Sequence, residues 1–344
     1  MARRPSQKQI IEALAAEWEP KLQNAFLDAI NDIRSRAEIG RIIERLEKSD
    51  FDGAIQAVHL DPAAFRSLDT AIAQTFDAGG VARTGRLPAI RQPGGGQVII
   101  RFDARNLRAE TWLRDHSSNL IRGIVDDQRV AIRQALVSGM EQGMNPRSTA
   151  LDLVGRINRA TGRREGGIIG LTSRQHDFVE NMRLRLASGD ASEMRKVLQM
   201  ARRDKRFDRA ILKAINEGRP VPGDMIARMA GRYRDRLLQL RGETIARTET
   251  MAALNESQVE AMRQAVDGGV DPTTIVKVWR SASDKRVRDT HRAMHNQRVG
   301  LEGKFQSPSG VFLAYPGDPA APADEIISCR CWLETDIDFL AGLE

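Results

Sequence analysis

The sequence that decides the fold class lies between residues 241 and 331. It reads RGETIARTETMAALNESQ (241–258), KVWRSASDKRVRDTHRAMH (277–295), GKFQSP (303–308) and EIISCRC (325–331). This stretch holds both cysteines and two of the five histidines of the chain. Before it, apolar residues recur every three or four positions, the period of one helix face. After Asp271 the pattern changes to short β-like segments such as IVKVW (275–279). A mixed α and β unit is therefore predicted to follow a helical chain.

These changes of pattern predict mainly α N-terminal and middle regions with a small α+β C-terminal domain. The N-terminal helical region is predicted at 1–78, with Pro20 as an interruption. A Gly- and Pro-rich linker or arm with a short strand, QVIIRFD (97–103), follows at 79–105. The middle helical region spans 106–222, and the C-terminal domain spans 223–344. Because no proline occurs from Asp224 to about Val266, this domain is predicted to begin with one long helix or two abutting helices.

Composition limits the class of protein. The chain has 344 residues, of which 41% are hydrophobic and 29% are charged, as expected of a globular protein with a core. No run of eighteen apolar residues occurs, so a transmembrane helix is not expected. Glutamates interrupt the apolar part of the N-terminus, which is unlike a secretory signal. The two cysteines are separated by one residue and are expected to remain reduced thiols, as in a protein made in a cytoplasm.

Basic side chains are concentrated in the segment 201–248. The net charge of the chain is +7, but residues 310–344 carry −6 and residues 1–309 carry +13. Such asymmetry permits contact with duplex DNA through phosphates, and the alternative is a solvated helix face with interspersed ion pairs. Aromatic residues for base stacking are nearly absent from the segment. The candidate DNA-contact residues are Arg202, Arg203, Arg206, Arg209, Arg232, Arg234 and Arg236.

Four residues near the C-terminus have side chains that zinc prefers: His291, His295, Cys329 and Cys331. Two histidines four positions apart share a helix face. The two cysteines have the less usual C-x-C spacing, because alternate residues of a strand point to opposite faces, so a turn is needed there. The alternative to a structural zinc site is a hydrogen-bonded polar core with two packed thiols.

The order of short motifs in this region resembles the Mu F-like phage head morphogenesis family. The motifs are Ile-Ala-Arg-Thr-Glu (245–249), a tryptophan (279), Asp-x-x-x-Arg-x-x-His (284–291) and Cys-Arg-Cys (329–331). They cover roughly the last third of the chain. The residues at the matching positions are Arg247, Thr248, Glu249, Trp279, Asp284, Arg288, His291, Cys329, Arg330 and Cys331.

The resemblance implies a metal site made of His291, Cys329 and Cys331, with Asp284 as a further candidate ligand. His295 would then be a bystander, since the family commonly has Asp at that position. The resemblance also directs attention to the arginines and carboxylates of the motifs. Because an arginine can pair with a carboxylate through two parallel hydrogen bonds, Arg247, Glu249, Asp284 and Arg288 are expected to tie the long helix to the segment 284–291.

Enzymatic alternatives find weak support in the sequence. Glu249 is a candidate general base for a zinc hydrolase, but no HExxH pattern is present. The run Arg280–Ser283 (RSAS) is faintly similar to an ADP-ribosyltransferase motif, but only Asp336 and Asp338 stand where that motif needs two glutamates. No catalytic residue is predicted.

The resemblance implies a minor head protein of a tailed phage or phage-like element, acting in head morphogenesis at the portal vertex. Its expected partners are portal or major capsid proteins and packaged duplex DNA, its expected location is the virion, and no membrane partner is expected. A DNA-binding or co-ejected virion protein is the alternative function.

Overall fold

A computed structural model describes residues 4–91, 97–282 and 284–338. The chain forms two compact units, each made of separate stretches. Unit 1 comprises residues 1–25, 67–119 and 243–344, and unit 2 comprises residues 26–66 and 120–242. The predicted division followed the chain in sequence, whereas the boundaries of these units fall within long helices. None of the described helices is long and apolar enough to cross a membrane.

The structure has many helices and a few short strands. The described α-helices are α1 (Gln7–Arg36), α2 (Ile39–Glu47), α3 (Phe51–Gln56), α4 (Arg66–Thr84), α5 (Leu107–Glu141), α6 (Pro146–Val154), α7 (Ser173–Ala187), α8 (Ala191–Gln199), α9 (Asp208–Asn216), α10 (Gly223–Asp267), α11 (Asp289–Ala293) and α12 (Ala323–Ile326). The described strands are β1 (Ile90–Arg91), β2 (Gln97–Val98), β3 (Arg156–Ile157), β4 (Arg164–Glu165), β5 (Ile275–Arg280), β6 (Arg298–Gly300), β7 (Phe305–Gln306), β8 (Phe312–Leu313) and β9 (Trp332–Ile337). The predicted fold class, mainly helical with a small α+β C-terminal region, is confirmed.

Several helix boundaries follow local rules that the sequence shows. Asn145 accepts a hydrogen bond from Arg147 N and precedes Pro146 at the first position of α6. Thr172 and Gln175 form a reciprocal capping box at the start of α7. Pro20, however, lies inside α1 and does not interrupt it, so that prediction was wrong. A proline removes one backbone donor, and tertiary packing of the flanking turns outweighs this loss in a helix of 30 residues.

The predicted linker contains less irregular chain than expected. Helix α4 continues to Thr84, and β1 pairs in antiparallel fashion with β2. Within the predicted strand 97–103, only Gln97 and Val98 pair with another strand. Ile100 packs into the core of unit 1. Residues 92–96 of the predicted linker lie outside the described residues.

In unit 2, two buried arginines donate hydrogen bonds to carbonyls of the glycine-rich turn at 164–170. Arg34 of α1 donates from Nε to Ile169 O (3.0 Å) and from Nη2 to Gly167 O (2.9 Å). Arg241 of α10 donates to Gly170 O (3.0 Å). Gly170 has φ +101°, and a Cβ there would lie within 3 Å of Leu238 and Ile30, so glycine is required at this position. Side chains from distant parts of the sequence thus satisfy the carbonyls of this turn.

In unit 1, a three-stranded antiparallel sheet has the order β6-β5-β9. Its central strand is β5, and the register pairs Trp279 with Leu333. The sheet packs on the second half of α10, where every residue from 251 to 262 is buried. A helix buried on all sides must satisfy its polar side chains internally. Helix α10 is one continuous helix, which resolves the two alternatives predicted for this segment.

Candidate metal centre

The centre of unit 1 contains a histidine positioned by a short helix and a tryptophan. Trp279 lies on β5 and is fully buried, and His291 lies on α11 with 1% of its surface exposed. The two rings meet edge to face, with centroids 5.1 Å apart and an interplanar angle of 80°. Trp279 is also packed edge-on against Phe305. The orientation of His291 is therefore restricted by aromatic packing on one side.

Both cysteines face the same nitrogen of this histidine. Cys329 Sγ and Cys331 Sγ each lie 3.4 Å from His291 Nδ1, and both residues are buried, with 2% of their surface exposed. All the ligand atoms of the three residues lie within 4.8 Å of one another. The C-x-C spacing allows this because residues 329–331 precede β9 and follow a turn in which Ser328 has φ +56°. The turn that the spacing required is present.

The pKa values of the two thiols are shifted in opposite directions. The hydrogen bond from the Cys331 thiol stabilises the thiolate of Cys329 and holds the pKa of Cys329 well below its usual value. The same hydrogen bond, with burial, raises the pKa of Cys331. The backbone N–H of Cys331 also donates to Cys329 Sγ (3.4 Å). Donors directed at a sulfur stabilise a thiolate, which is the form that binds a metal.

A carboxylate holds the opposite side of the histidine ring. His291 Nε2 lies 2.9 Å from Glu325 Oε2, and Glu325 is itself buried on α12. Burial alone raises the pKa of Glu325, but hydrogen bonds from Ser309, His291 and Ser307 outweigh it and lower the pKa below its ordinary value. Glu325 was not among the predicted site residues. Its place in the sequence, four residues before Cys329, was the one available signal.

Two side chains of α10, seven residues apart, hold the turn at 328–331 that carries both cysteines, called here the cysteine turn. Thr248 Oγ1 accepts a hydrogen bond from Ser328 N (2.9 Å). Asn255 Nδ2 donates to Cys331 O (3.3 Å), and Asn255 Oδ1 accepts from Leu333 N (2.8 Å). Residues seven apart lie on the same helix face. Thr248 was a predicted motif residue, whereas Asn255 was missed, because its role depends on contacts 76 and 78 residues away.

The motif arginines and carboxylates pair differently from the prediction. Arg330 donates from both terminal nitrogens to the carboxylate of Asp284, and its hydrogen bond lowers the pKa of Asp284 to about 2. Arg288 donates to Ile327 O (2.5 Å). Asp284 and Arg288 thus brace the cysteine turn from outside. Within the described residues, Asp284 is not part of the His/Cys cluster, so it is not a ligand in this geometry.

The expected tie between the long helix and segment 284–291 was wrong. Arg247 pairs with Glu19 of α1 (3.5 Å). Glu249 Oε2 lies 2.5 Å from His116 Nε2 of α5, and the ring of His116 stacks on Trp112 at 4.6 Å. These motif residues therefore join α10 to α1 and α5 within unit 1. A sequence pattern shows which side chains can pair but not which partner is near.

His295 lies outside the His/Cys cluster. Its Nδ1 accepts a hydrogen bond from Ser281 N (3.1 Å). The run 280–283, which bore the faint similarity to an ADP-ribosyltransferase motif, includes Ser283, which is outside the described residues. Asp336, one of the two aspartates compared with that motif, lies on β9 and is exposed. The candidate general base Glu249 contacts His116.

The candidate DNA-contact arginines of unit 2 differ in their exposure to solvent. Arg202, Arg206, Arg209 and Arg232 are exposed. Arg203 is half-buried and pairs through two hydrogen bonds with Asp208, and Arg236 donates to the carbonyls of Arg202 and Arg203. Arg234 has 2% of its surface exposed and donates to Gly166 O (3.2 Å). The prediction that Arg234 contacts DNA is therefore corrected, because its guanidinium is enclosed by the fold.

The geometry can be compared with known proteins. The family model described as phage Mu protein F like protein matches residues 205–334. Comparisons with curated proteins and with solved structures gave no match. The matched range includes α10, β5, β6 and the turn that carries Cys329 and Cys331, and it ends within β9. Residues 205–334 of this chain are therefore similar to the phage Mu protein F-like family.

Proposed function

We propose that this chain is a minor head protein of a tailed phage or phage-like element, acting in head morphogenesis at the portal vertex with portal or major capsid proteins as partners. Its role is structural rather than catalytic. The observation that carries the proposal is the family match at 205–334, which coincides with an internally braced, buried polar centre. A centre buried this deeply is suited to holding a domain in one shape for assembly.

The test is the copy number of the protein in purified particles before and after release of the DNA. We expect a few copies per particle, equal in full and emptied heads, as for a fixed component of a single vertex. Cross-linking should join the chain to the portal protein. Absence of the chain from both kinds of particle would contradict a virion location.

A DNA-associated role is the second candidate, and it rests on the four exposed arginines in the segment 201–248. These residues (Arg202, Arg206, Arg209 and Arg232) are exposed to solvent, although Arg206 pairs with Asp204 and Arg232 pairs with Glu165. The same copy-number measurement distinguishes the two roles. Copies that leave the particle with the DNA would favour a DNA-bound or co-ejected protein over a fixed head component.

The His/Cys cluster is suited to a structural zinc ion. With Zn–N and Zn–S bonds of ordinary length, a tetrahedral site places the nitrogen and each sulfur about 3.5 Å apart. The two Sγ–Nδ1 distances of 3.4 Å agree with this spacing. His291, Cys329 and Cys331 would thus supply three of the four ligands that a structural zinc takes. The ion would cross-link α11 to the turn before β9.

The zinc proposal is tested by the metal content of the full-length protein. We expect about one zinc per chain after purification without chelators, because two thiolates and an imidazole form a high-affinity donor set. The variants Cys329→Ser and His291→Asn should lose the metal. The control is His295→Asn, which changes a histidine outside the cluster and should retain it. Wild-type protein that stays well below one zinc per chain when zinc is supplied would refute the site.

A further inference from the structure

A buried carboxylate with an unusual set of partners lies behind the metal candidate. Glu325 has 5% of its surface exposed. Its Oε1 accepts hydrogen bonds from Ser309 Oγ (2.8 Å) and Ser307 Oγ (3.2 Å). Its Oε2 accepts from Thr290 Oγ1 (3.2 Å) and meets His291 Nε2 at 2.9 Å. Both oxygens are therefore fully engaged.

No lysine or arginine among the described residues forms an ion pair with this carboxylate. Burying a carboxylate is costly unless a positive charge and hydrogen bonds compensate it. Hydroxyl groups supply hydrogen bonds but no charge. The remaining partner is the imidazole of His291, and the other nitrogen of this ring faces the two sulfurs at 3.4 Å. A cation bound at that nitrogen would polarise the ring and strengthen the Nε2–H donor that faces Glu325.

The partners come from three separate parts of the C-terminal chain. Thr290 and His291 belong to α11, and Ser307 and Ser309 lie between β7 and β8. Glu325 lies on α12, four residues before the first cysteine. Three segments that are separate in the sequence thus contact one carboxylate. Such convergence restricts both the position of the carboxylate and the plane of the imidazole that it contacts.

We propose that Glu325 is a positioning residue that selects Nδ1 of His291 as the metal-binding atom. A carboxylate accepts hydrogen bonds, so its contact with Nε2 keeps the proton on that nitrogen. The lone pair of Nδ1 is then directed at the space between the two sulfurs. Ligating histidines commonly donate their other ring N–H to a carboxylate, and loss of that partner weakens metal binding by about 10- to 100-fold. The proposal rests on the proposed zinc site.

The experiment compares Glu325→Gln with Asp324→Asn in the full-length protein. Both changes replace a carboxylate by an amide on the same short helix, but Asp324 is exposed and Glu325 is buried. Zinc affinity is measured by competition with a chromophoric chelator. We expect Glu325→Gln to weaken affinity by about 10- to 100-fold and Asp324→Asn to leave it unchanged. Equal affinities for wild type and both variants would overturn the positioning role while leaving the metal site intact.

A second variant and a direct measurement guard against loss of folding. Ser309 is exposed, so Ser309→Ala removes the 2.8 Å hydrogen bond to Glu325 without creating a cavity. It should weaken zinc affinity several-fold with an unchanged far-UV spectrum, and no change would count against the proposal. In the zinc-loaded wild type, ¹⁵N shifts of His291 should show the metal on Nδ1 and the proton on Nε2. Metal on Nε2 would overturn the proposal, and a wild type that binds no zinc would refute the zinc site and the proposal together.

Discussion

Buried arginines are the residues whose role changes most between sequence and structure. Arg34 and Arg36 stand two positions apart on α1 and look equivalent in the sequence. Arg36 forms a surface ion pair with Asp32, whereas Arg34 has 1% of its surface exposed and donates to backbone carbonyls of the glycine-rich turn at 164–170. Burial lowers the pKa of Arg34 to about 10, which leaves the guanidinium charged at neutral pH. The environment, and not the residue type, assigns each arginine its role.

Replacing Arg34 by lysine should destabilise the protein strongly. An ammonium group cannot reproduce the fork of hydrogen bonds from Nε and Nη2 to Ile169 O and Gly167 O, so buried carbonyls would lose their donors. We expect a loss of about 3 kcal/mol or more in the free energy of unfolding, measured by urea denaturation. The matched change Arg36→Lys should stay within about 0.5 kcal/mol. Equal urea midpoints for the two variants would show that the buried fork adds no stability.

At the scale of elements, α10 is the organising helix of unit 1. Its second half is buried on all sides, and its polar residues contact the segments that carry the site. Glu256 is among these buried polar residues and lies 3.4 Å from Arg263. Burial raises the pKa of Glu256 to about 7, and the attraction of Arg263 opposes the rise without cancelling it. The helix therefore contains a carboxyl group that titrates near neutral pH.

This carboxyl group should make stability fall as the pH rises. The folded protein binds the proton of Glu256 more tightly than the unfolded chain does. Proton binding by Glu256 therefore adds fully to the free energy of unfolding below about pH 4.5, and this addition is lost by about pH 7. Relative to Glu256→Gln, the wild type should lose about 3 kcal/mol of unfolding free energy across that range. Chemical denaturation of both proteins at several pH values measures this difference.

Glu302→Gln is the control for this pH effect, because Glu302 pairs with the same arginine at the surface. Hydrogen bonding from Arg263 lowers the pKa of Glu302, so its contribution to stability is present above the unfolded-state pKa and lost on acidification. The sign for Glu302 should therefore be opposite to that for Glu256. If the difference in unfolding free energy between the wild type and Glu256→Gln does not change with pH, the pKa of Glu256 is not raised in the folded protein.

At the scale of the whole molecule, the two units differ in what a metal can affect. His291, Cys329, Cys331 and Glu325 all belong to unit 1. A ligand stabilises the state that binds it, in proportion to its free concentration and affinity. Removal of the proposed metal is therefore expected to affect the unit that holds the ligands.

Metal removal should lower hydrogen-exchange protection in unit 1 only. We expect faster exchange in β5, β9 and the segment 324–331 after chelation, because the bound ion would connect α11 to the cysteine turn. Amides of α7 and α9 in unit 2 should keep their protection. The Cys329→Ser variant, treated with the same chelator, serves as the control and should show no further change. Uniform loss of protection in both units would contradict a local role for the metal.

Much of the fold was accessible from local patterns. The 3.6-residue period predicted the helices, and the absence of proline from 224 to about 266 predicted the long α10. The prediction that Pro20 interrupts the helix was wrong, because packing along a long helix outweighed the helix-breaking tendency of proline. Within the predicted middle helical region, α8 and α9 are separate helices with a short 3-10 turn between them. Local rules identify elements well and fail where tertiary packing supplies the larger energy.

The sequence by itself determined which residues form the His/Cys cluster of this protein, since its motifs singled out His291, Cys329 and Cys331 and placed them in a small α+β unit after a long helix. Only the tertiary structure decided their partners: Glu325 behind the histidine, Asn255 under the cysteine turn, and Arg330 rather than a metal on Asp284. The physical reason is range. Helix period and capping are set by neighbours within a few positions, whereas these pairings join residues 34 to 76 positions apart and depend on how the elements pack.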